Sequence, residues 1–127
     1  MSFSTTRIVF ILFTFTLVSC YNQDRDCKDF KTGSFEFTQE IDGKSETSHF
    51  ERNDSIQIET FRGKTDTLSV RWINDCEYIV KNIHPKNRAE KKAIHIKILT
   101  TSDEGYVFEY AFVGEAKKQR GTVTKVK

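Results

Sequence analysis

The sequence predicts an all-β domain in which about eight antiparallel strands close into a small barrel, with a two-layer β-sandwich as the alternative. Apolar and polar residues alternate from Gly33 onward, which indicates strands with one buried face. Turn-forming residues recur at intervals of about 10 or 11 residues, as is typical of an antiparallel meander. No long helical pattern is available to cover a flat sheet, so closure of the sheet is the favoured way to bury the alternating face.

The first segment of the chain is predicted to be an export signal. An apolar run at residues 8–18 follows Arg7. As a helix it would reach about 16 Å, which is too short for a hydrocarbon core of about 30 Å. The run ends in the sequence Leu-Val-Ser-Cys at 17–20, which resembles the lipobox of bacterial lipoproteins. We therefore expect cleavage before Cys20 and lipidation of its thiol, with an ordinary secretory signal as the alternative.

This interpretation sets the organisation of the chain. It predicts a signal peptide at 1–19, a lipidated N-terminal tether at 20–32 and a single β domain at 33–127. One acyl chain binds a bilayer only marginally, so the resemblance to lipoproteins implies attachment through more than one chain. Tyr21 follows the lipidated cysteine where inner-membrane lipoproteins carry Asp. The expected location is therefore the outer membrane, facing either the periplasm or the cell exterior.

Charge excludes one class of partner. Removing the signal peptide with Arg7 lowers the total of Lys plus Arg from 20 to 19 against 18 Asp plus Glu, so the net charge falls from +2 to about +1. A nucleic-acid-binding domain carries a strongly basic surface. We therefore expect no nucleic-acid partner.

The cysteine count agrees with export. With Cys20 lipidated, only Cys27 and Cys76 remain. An even pair in an oxidising compartment predicts a disulfide, and two buried free thiols are the alternative. Closing a loop of this length would stabilise the fold by about 4 kcal/mol in the chain-entropy model. The spacing of the two cysteines fits no zinc motif, so we expect no metal site and no cofactor.

Each strand is predicted from its alternating residues. The Asp42-Gly43 pair is a strong signal for a two-residue hairpin turn. Near Asp75 a three-residue loop is preferred, which would pair Trp72 with Cys76 and keep the large residues of both strands on one face. Residues 86–92 interrupt the rhythm as a loop or one helical turn. The expected inward or strand-forming residues, in order, are Phe35, Phe37, Gln39 as a polar exception, and Ile41; 49–52; Ile56, Ile58 and Thr60; Leu68, Val70 and Trp72; Cys76, Tyr78 and Val80; Ile94, Ile96 and Ile98; Tyr106, Phe108, Tyr110 and Phe112; Thr122, Thr124 and Val126.

Three segments of the mature chain resemble a family of small flavobacterial (Bacteroidota) lipoproteins of unknown function. They are the sequence Cys-Lys-Asp-Phe-Lys-Thr-Gly at 27–33 with Phe35 after it, the sequence Arg-Asn-Asp-Ser at 52–55, and the sequence Trp-Ile-Asn-Asp-Cys-Glu-Tyr at 72–78. Members sometimes carry the label DNA topoisomerase IV, for which a domain of this size has no room. The resemblance implies no catalytic residues. A looser similarity to lipocalins rests on architecture and on the Gly-x-Phe sequence that begins at Gly33.

Residues of catalytic types are scattered along the chain. His49, His84 and His95 lie in different predicted elements without a recognisable motif, and solvent-facing positions explain them. Arg71 and Glu59 are candidates for a cross-strand ion pair that would contribute a few tenths of a kcal/mol. No nucleophile, base and orienting group occur together, so the chain is not expected to be an enzyme.

Two classes of function remain. The first is a membrane-anchored binding module that holds a small apolar ligand or a peptide. Its candidate contact residues are Trp72, Tyr78, Tyr106, Phe108, Tyr110 and Phe112. The second is a structural subunit or inhibitor with a solidly packed core, whose outer surface engages another envelope protein. An interior cavity of a few hundred Å³ would favour the first class, and a filled core with an exposed apolar patch would favour the second.

Overall fold

Eight antiparallel strands form one closed barrel in the computed structural model, which describes residues 25–126. Each strand pairs with the next, and β8 pairs with β1 to complete the closure. The predicted meander and barrel are therefore confirmed. The strands are β1 (Gly33–Ile41), β2 (Lys44–Arg52), β3 (Ile56–Phe61), β4 (Lys64–Asn74), β5 (Glu77–Asn82), β6 (Ile94–Thr101), β7 (Gly105–Phe112) and β8 (Gln119–Val126).

Two tight turns use left-handed backbone conformations. Asp42 and Gly43 have φ of 52° and 77°, and Ile41 pairs with Lys44 across them. This is the two-residue hairpin that the Asp-Gly pair predicts, because positive φ at both central positions matches the twist of the flanking strands. The β3–β4 turn has the same form, with φ of 50° at Arg62 and 73° at Gly63.

The register predicted for the β4–β5 hairpin is wrong. Trp72 pairs with Tyr78 rather than with Cys76, and Asn74 pairs with Glu77 across a two-residue turn. An irregularity between Trp72 and Asn74 absorbs one extra residue. With a two-residue turn alone, the large residues of β4 and β5 would lie on opposite faces of the sheet. The extra residue of the bulge brings them to the same face. The large residues of β4 and β5 consequently share the inner face, as expected.

Strand β2 is longer than predicted, since it begins at Lys44 rather than at His49. Its first half carries no large apolar residue, so the alternation that predicts a strand is missing from the sequence. Ser48 nevertheless points inward and is buried, and its hydroxyl donates to the backbone oxygen of Phe37 at 3.3 Å. Pairing with β1 along the whole hairpin holds this polar segment in the sheet.

A short 3-10 helix, η1 (Cys27–Phe30), lies under one end of the barrel. Cys27 and Phe30 are both buried, and the ring of Phe30 meets the ring of Tyr106 edge-on at 5.3 Å. The hydrophobic core therefore starts at Cys27, within the segment that is predicted to be the tether. Within residues 25–126, no helix is long and apolar enough to cross a membrane.

The barrel has two different ends. We call the end covered by η1 the closed end, which also carries the connections at 53–55, 75–76 and 102–104. The opposite end, the mouth, is formed by the turns at 42–43 and 62–63 and by the segments 83–93 and 113–118. Strand β1 runs from the closed end to the mouth, so the chain enters the barrel from the closed end.

Candidate ligand cavity

The interior of the barrel contains a cavity of about 280 Å³ between the closed end and the mouth. All eight strands contribute residues to its wall. A hollow of about 180 Å³ adjoins it toward the 83–93 segment, and the two share the side chains of Glu59, Leu68, Val80 and Ile94. Ligand sites in proteins commonly measure about 300–1,000 Å³, so this cavity, just below that range, suits a compact small molecule.

One wall of the cavity is apolar and aromatic. It is formed by the apolar and aromatic side chains at the inward positions of strands β5 to β8. Phe108 stands at its centre, with its ring 5.4 Å from Phe37 and 5.5 Å from Tyr110. Its lining residues are Tyr78, Val80, Ile94, Ile96, Tyr106, Phe108, Tyr110 and Val123.

The opposite wall combines Phe37 and Phe50 with polar side chains, and we call it the polar wall. Strands β1 to β3 place four uncharged or acidic side chains on it: Gln39, Ser48, Gln57 and Glu59. Each occupies an inward position in the register, where an apolar residue would complete an ordinary core. Their chemistry gives this side of the cavity hydrogen-bonding groups and a carboxyl.

Glu59 supplies a carboxyl group to the cavity wall. It pairs directly with Asp66 across β3 and β4, so two carboxyl groups lie side by side. Burial raises the pKa of Glu59 above its ordinary value, the side chain of Gln57 opposes this by favouring the charged form, and Asp66 raises it further. The cavity therefore holds a carboxyl that is easier to protonate than one in water.

Arg52 forms the floor below the cavity, at the closed end. Its side chain is buried, with only 3% of its surface exposed. The guanidinium donates to the hydroxyl of Tyr78 at 2.9 Å, to that of Tyr106 at 3.3 Å and to the amide oxygen of Gln57 at 3.2 Å. It also donates to the backbone oxygen of Lys31 at 3.2 Å and to that of Phe30.

These hydrogen bonds engage the donor groups of Arg52 with acceptors of the protein itself. A guanidinium has five N–H groups, and the contacts to two backbone oxygens, two hydroxyls and one amide match that number. Burial acts to lower the pKa of Arg52, but Tyr78 and Tyr106 outweigh it and the net shift is upward. For Tyr78, burial raises the pKa well above its ordinary value, so its hydroxyl stays protonated. Arg52 thus fastens η1 to the barrel and stays charged.

The six aromatic residues proposed from the sequence as contact residues lie in three different places in the structure. Tyr78, Tyr106, Phe108 and Tyr110 line the cavity. Phe112 lies at the mouth with 37% of its surface exposed and lines the adjoining hollow. Trp72 lies at the closed end, where its ring packs on Tyr78 at 4.5 Å and under the ammonium of Lys31 at 5.2 Å.

Sequence reasoning missed the polar wall. The candidate ion pair between Glu59 and Arg71 does not form, because Glu59 faces the interior opposite Asp66 while Arg71 is exposed on the outer face. The sequence predicted a polar residue on the inner face only at Gln39. In β3 the alternation of Ile56 and Ile58 indicates the opposite face, yet Ile58 is 45% exposed and Gln57 is buried. Ser48 and Gln57 stand at inward positions equivalent to that of Gln39.

The histidines lie away from the cavity. His49 contacts Glu36 at 3.3 Å, and His95 contacts Glu77 at 3.0 Å, both on the outside of the sheet. Among residues 25–126, no group of three or more His, Cys, Asp or Glu side chains is arranged to hold a metal ion.

Cys27 and Cys76 form the predicted disulfide, with an S–S distance of 2.05 Å and a Cα–Cα distance of 5.2 Å. The bond joins η1 to the β4–β5 turn. An ion pair of 3.0 Å between Lys31 and Asp75 lies beside it. Both contacts hold η1 over the closed end. Cys20, the predicted lipidation site, lies outside the described residues.

Comparison with known proteins identifies no relative: the chain matches no protein-family model, no curated protein and no solved structure. The geometry of the barrel is therefore the basis for assigning a function.

Proposed function

We propose that this protein is a membrane-anchored envelope lipoprotein whose barrel binds a small, largely apolar ligand without catalysing a reaction. The cavity of about 280 Å³ carries the proposal. A domain of this size gains its stability from a tightly filled core, and an unfilled interior forfeits packing contacts. A cavity that combines an aromatic wall with a few polar groups is the usual form of a small-molecule site.

The alternative is a subunit that binds an envelope protein through its outer surface. It would be favoured by a filled core and a continuous exposed apolar patch. The interior is not filled. The most exposed large apolar residues of the described part of the chain stand on several elements around the barrel: Ile58, Ile73, Ile83, Phe112, Val113 and Val126. Ligand binding is therefore the function that the geometry supports best.

The position of η1 supports a specific arrangement at the membrane. In the proposal, lipid attached to Cys20 holds the chain at the outer membrane, as in the small Bacteroidota lipoproteins that the sequence resembles. Cys27 follows only a few residues later and is bonded to Cys76 at the closed end. The anchor would then lie beside the closed end, and the mouth would face away from the bilayer and toward free ligand.

A cavity-filling substitution tests the ligand site. Leu68 lines the cavity from β4, and Leu68→Trp would place additional ring atoms inside it. Ile58→Trp is the matched control, because Ile58 is 45% exposed on the outer face of the neighbouring strand. We expect an apolar fluorescent dye to bind the unmodified protein and Ile58→Trp equally, and Leu68→Trp at least about tenfold more weakly. Equal dye binding by all three proteins would contradict an interior site.

Native mass spectrometry of the protein isolated gently from its host provides a second test. We expect a retained small-molecule mass that is absent from Leu68→Trp and present in Ile58→Trp. Ligand-free spectra, together with no dye binding, would favour the protein-interaction alternative.

The anchor is tested separately. Replacing Cys20 with Ser removes the thiol that would be lipidated, so the exported protein should move from the membrane fraction to the soluble fraction. The disulfide and the barrel should remain intact, which a count of free thiols and a circular dichroism spectrum would check. A Cys20→Ser protein that stays with the membrane would refute the lipoprotein assignment.

A further inference from the structure

The carboxyl groups near the mouth differ in whether a cation accompanies them. Glu46 accepts a hydrogen bond from Arg62 at 2.6 Å, and Glu90 accepts one from Lys64 at 3.3 Å. Glu59 and Asp66 are different: within residues 25–126, no Lys, Arg or His nitrogen lies within ion-pair distance of either carboxyl. These two are also direct cross-strand neighbours.

This arrangement costs the folded protein stability. Like charges directly opposite each other in an antiparallel pair repel, and burial of a carboxylate penalises its charged form. An apolar pair at these positions would instead continue the core formed by Leu68 and Val80. Sites that oppose folding in this way are commonly retained for binding or catalysis. A cation that entered the cavity would relieve both penalties at once.

The surroundings of Glu59 indicate what kind of ligand would carry such a cationic group. Across the cavity from the polar wall lie Ile94, Ile96 and Phe108, which offer an apolar surface with no charge. The cavity volume of about 280 Å³ limits the ligand to a compact body. A bare metal ion would leave this apolar wall without a partner, and a carboxylate-bearing ligand would meet repulsion from Glu59 and Asp66.

We propose that the cavity selects small amines, in which an ammonium group binds Glu59 and a compact apolar body packs against the wall formed by β5 to β8. This inference rests on the ligand-binding function proposed above and names the chemical class of the ligand. Gln39 lines the same cavity, so its amide oxygen supplies an additional acceptor for the N–H groups of the ligand. The amide oxygen of Gln57 is already bonded to Arg52.

Binding of an amine is coupled to protonation of Glu59. Its neighbours are Asp66 on β4 and, from the 83–93 segment, Glu90 and Lys92 around the adjoining hollow. Lys92 lies 3.8 Å from Glu115 and 5.1 Å from the ring centre of Phe112. Since an ammonium favours the charged carboxylate, amine binding should lower the pKa of Glu59, and amine affinity should fall as the pH is lowered through that pKa.

Three probes that share an aromatic body but differ in their polar group test this inference: 2-phenylethylamine, 2-phenylethanol and 3-phenylpropionate. Isothermal titration calorimetry on the exported, disulfide-bonded protein gives the three affinities. We expect the amine to bind at least about tenfold more tightly than the alcohol, because a hydrogen bond to a charged group contributes more than a neutral one. The carboxylate should bind most weakly.

Glu59→Gln supplies the decisive comparison. It keeps the shape of the side chain and removes its charge, so it should lower the affinity for the amine by about tenfold and leave the affinity for the alcohol within about twofold. Glu51→Gln is the matched control, since Glu51 is exposed and faces outward from β2. It should change neither affinity.

The outcomes separate the two proposals. Equal binding of amine and alcohol that Glu59→Gln does not alter would overturn amine selection while leaving ligand binding in place. Tighter binding of 3-phenylpropionate than of the amine would do the same. Failure of all three probes to bind would also overturn amine selection, whereas the ligand-binding function is then decided by the Leu68→Trp comparison.

Discussion

The guanidinium of Arg52 donates a hydrogen bond of 2.9 Å to the hydroxyl of Tyr78 and lies 4.7 Å from the centre of the same ring. A buried cation is ordinarily neutralised by a carboxylate, but the groups around Arg52 are hydroxyls, amide oxygens and aromatic faces. Its ring contacts include Phe35 at 4.8 Å. The charge is thus stabilised by dipoles and π-electrons supplied from several strands and from η1, which makes Arg52 the junction of the closed end.

Arg52→Lys should destabilise the protein by about 2–4 kcal/mol, although it keeps the charge. An ammonium has three donors and no planar fork, so it leaves several buried oxygens unsatisfied. Urea unfolding monitored by circular dichroism measures the loss. Arg71→Lys is the control: Arg71 is exposed, so its change should stay within about 0.5 kcal/mol. Similar midpoints for both variants would show that the Arg52 network contributes little.

The Cys27–Cys76 disulfide should contribute about 4 kcal/mol, because it closes a loop spanning 49 positions in the unfolded chain. Replacing both cysteines with Ser should therefore lower the free energy of unfolding by about that amount. Cys20→Ser leaves the bond intact and serves as the control. A free-thiol count on the denatured, exported protein should find neither Cys27 nor Cys76 reactive, and labelling of both would disprove the bond.

Glu59→Gln should stabilise the ligand-free protein at neutral pH. The folded-state pKa of Glu59 is raised, chiefly by burial, so ionisation is harder in the folded state than in the unfolded one. The resulting penalty is absent at acidic pH, where both states are protonated, and grows as the pH rises through the folded-state pKa. The unfolding midpoint of Glu59→Gln should therefore exceed that of the unmodified protein at about pH 8, and the difference should shrink toward about pH 4.

Glu104→Gln, at an exposed position in the β6–β7 connection, is the control for this pH dependence. Its effect should be small throughout. A constant difference between Glu59→Gln and the unmodified protein across the pH range would mean that Glu59 does not carry the penalty.

Gly105→Ala should destabilise the barrel by about 3 kcal/mol or more. A Cβ at this position would lie 1.9 Å from the backbone oxygen of Val123 on the paired strand, so the β7–β8 ladder would have to separate. Gly114→Ala is the comparison. Gly114 has φ of 86° but open space around it, so only the cost of a left-handed backbone, about 1 kcal/mol, applies. Thermal unfolding should rank the two variants in that order, and a Gly105→Ala protein as stable as Gly114→Ala would contradict the close approach.

Local sequence signals were sufficient where a short segment decides the conformation. The Asp42-Gly43 pair predicts its turn because positive φ is needed at two adjacent residues, and the alternation of Ile94, Ile96 and Ile98 predicts β6 because period two is the geometry of a strand. The β4–β5 hairpin shows the limit of such signals. A bulge between Trp72 and Asn74 shifts the register while preserving the face, and alternation alone cannot distinguish that from a longer loop.

By itself the sequence determined the all-β class and the eight-stranded meander, because both follow from spacing along the chain, and the number of cysteines predicted the bond between Cys27 and Cys76. Only the tertiary structure decided what the inward polar residues do. Arg52, far from Tyr106 in sequence, becomes a structural junction because closure of the barrel brings β2, β5 and β7 to the same end. Glu59 has the same inward parity yet lines a cavity, because it lies further toward the mouth, where no side chain fills the space across from it. Position along the barrel axis depends on register between strands, and register is a property of the closed sheet rather than of any one segment.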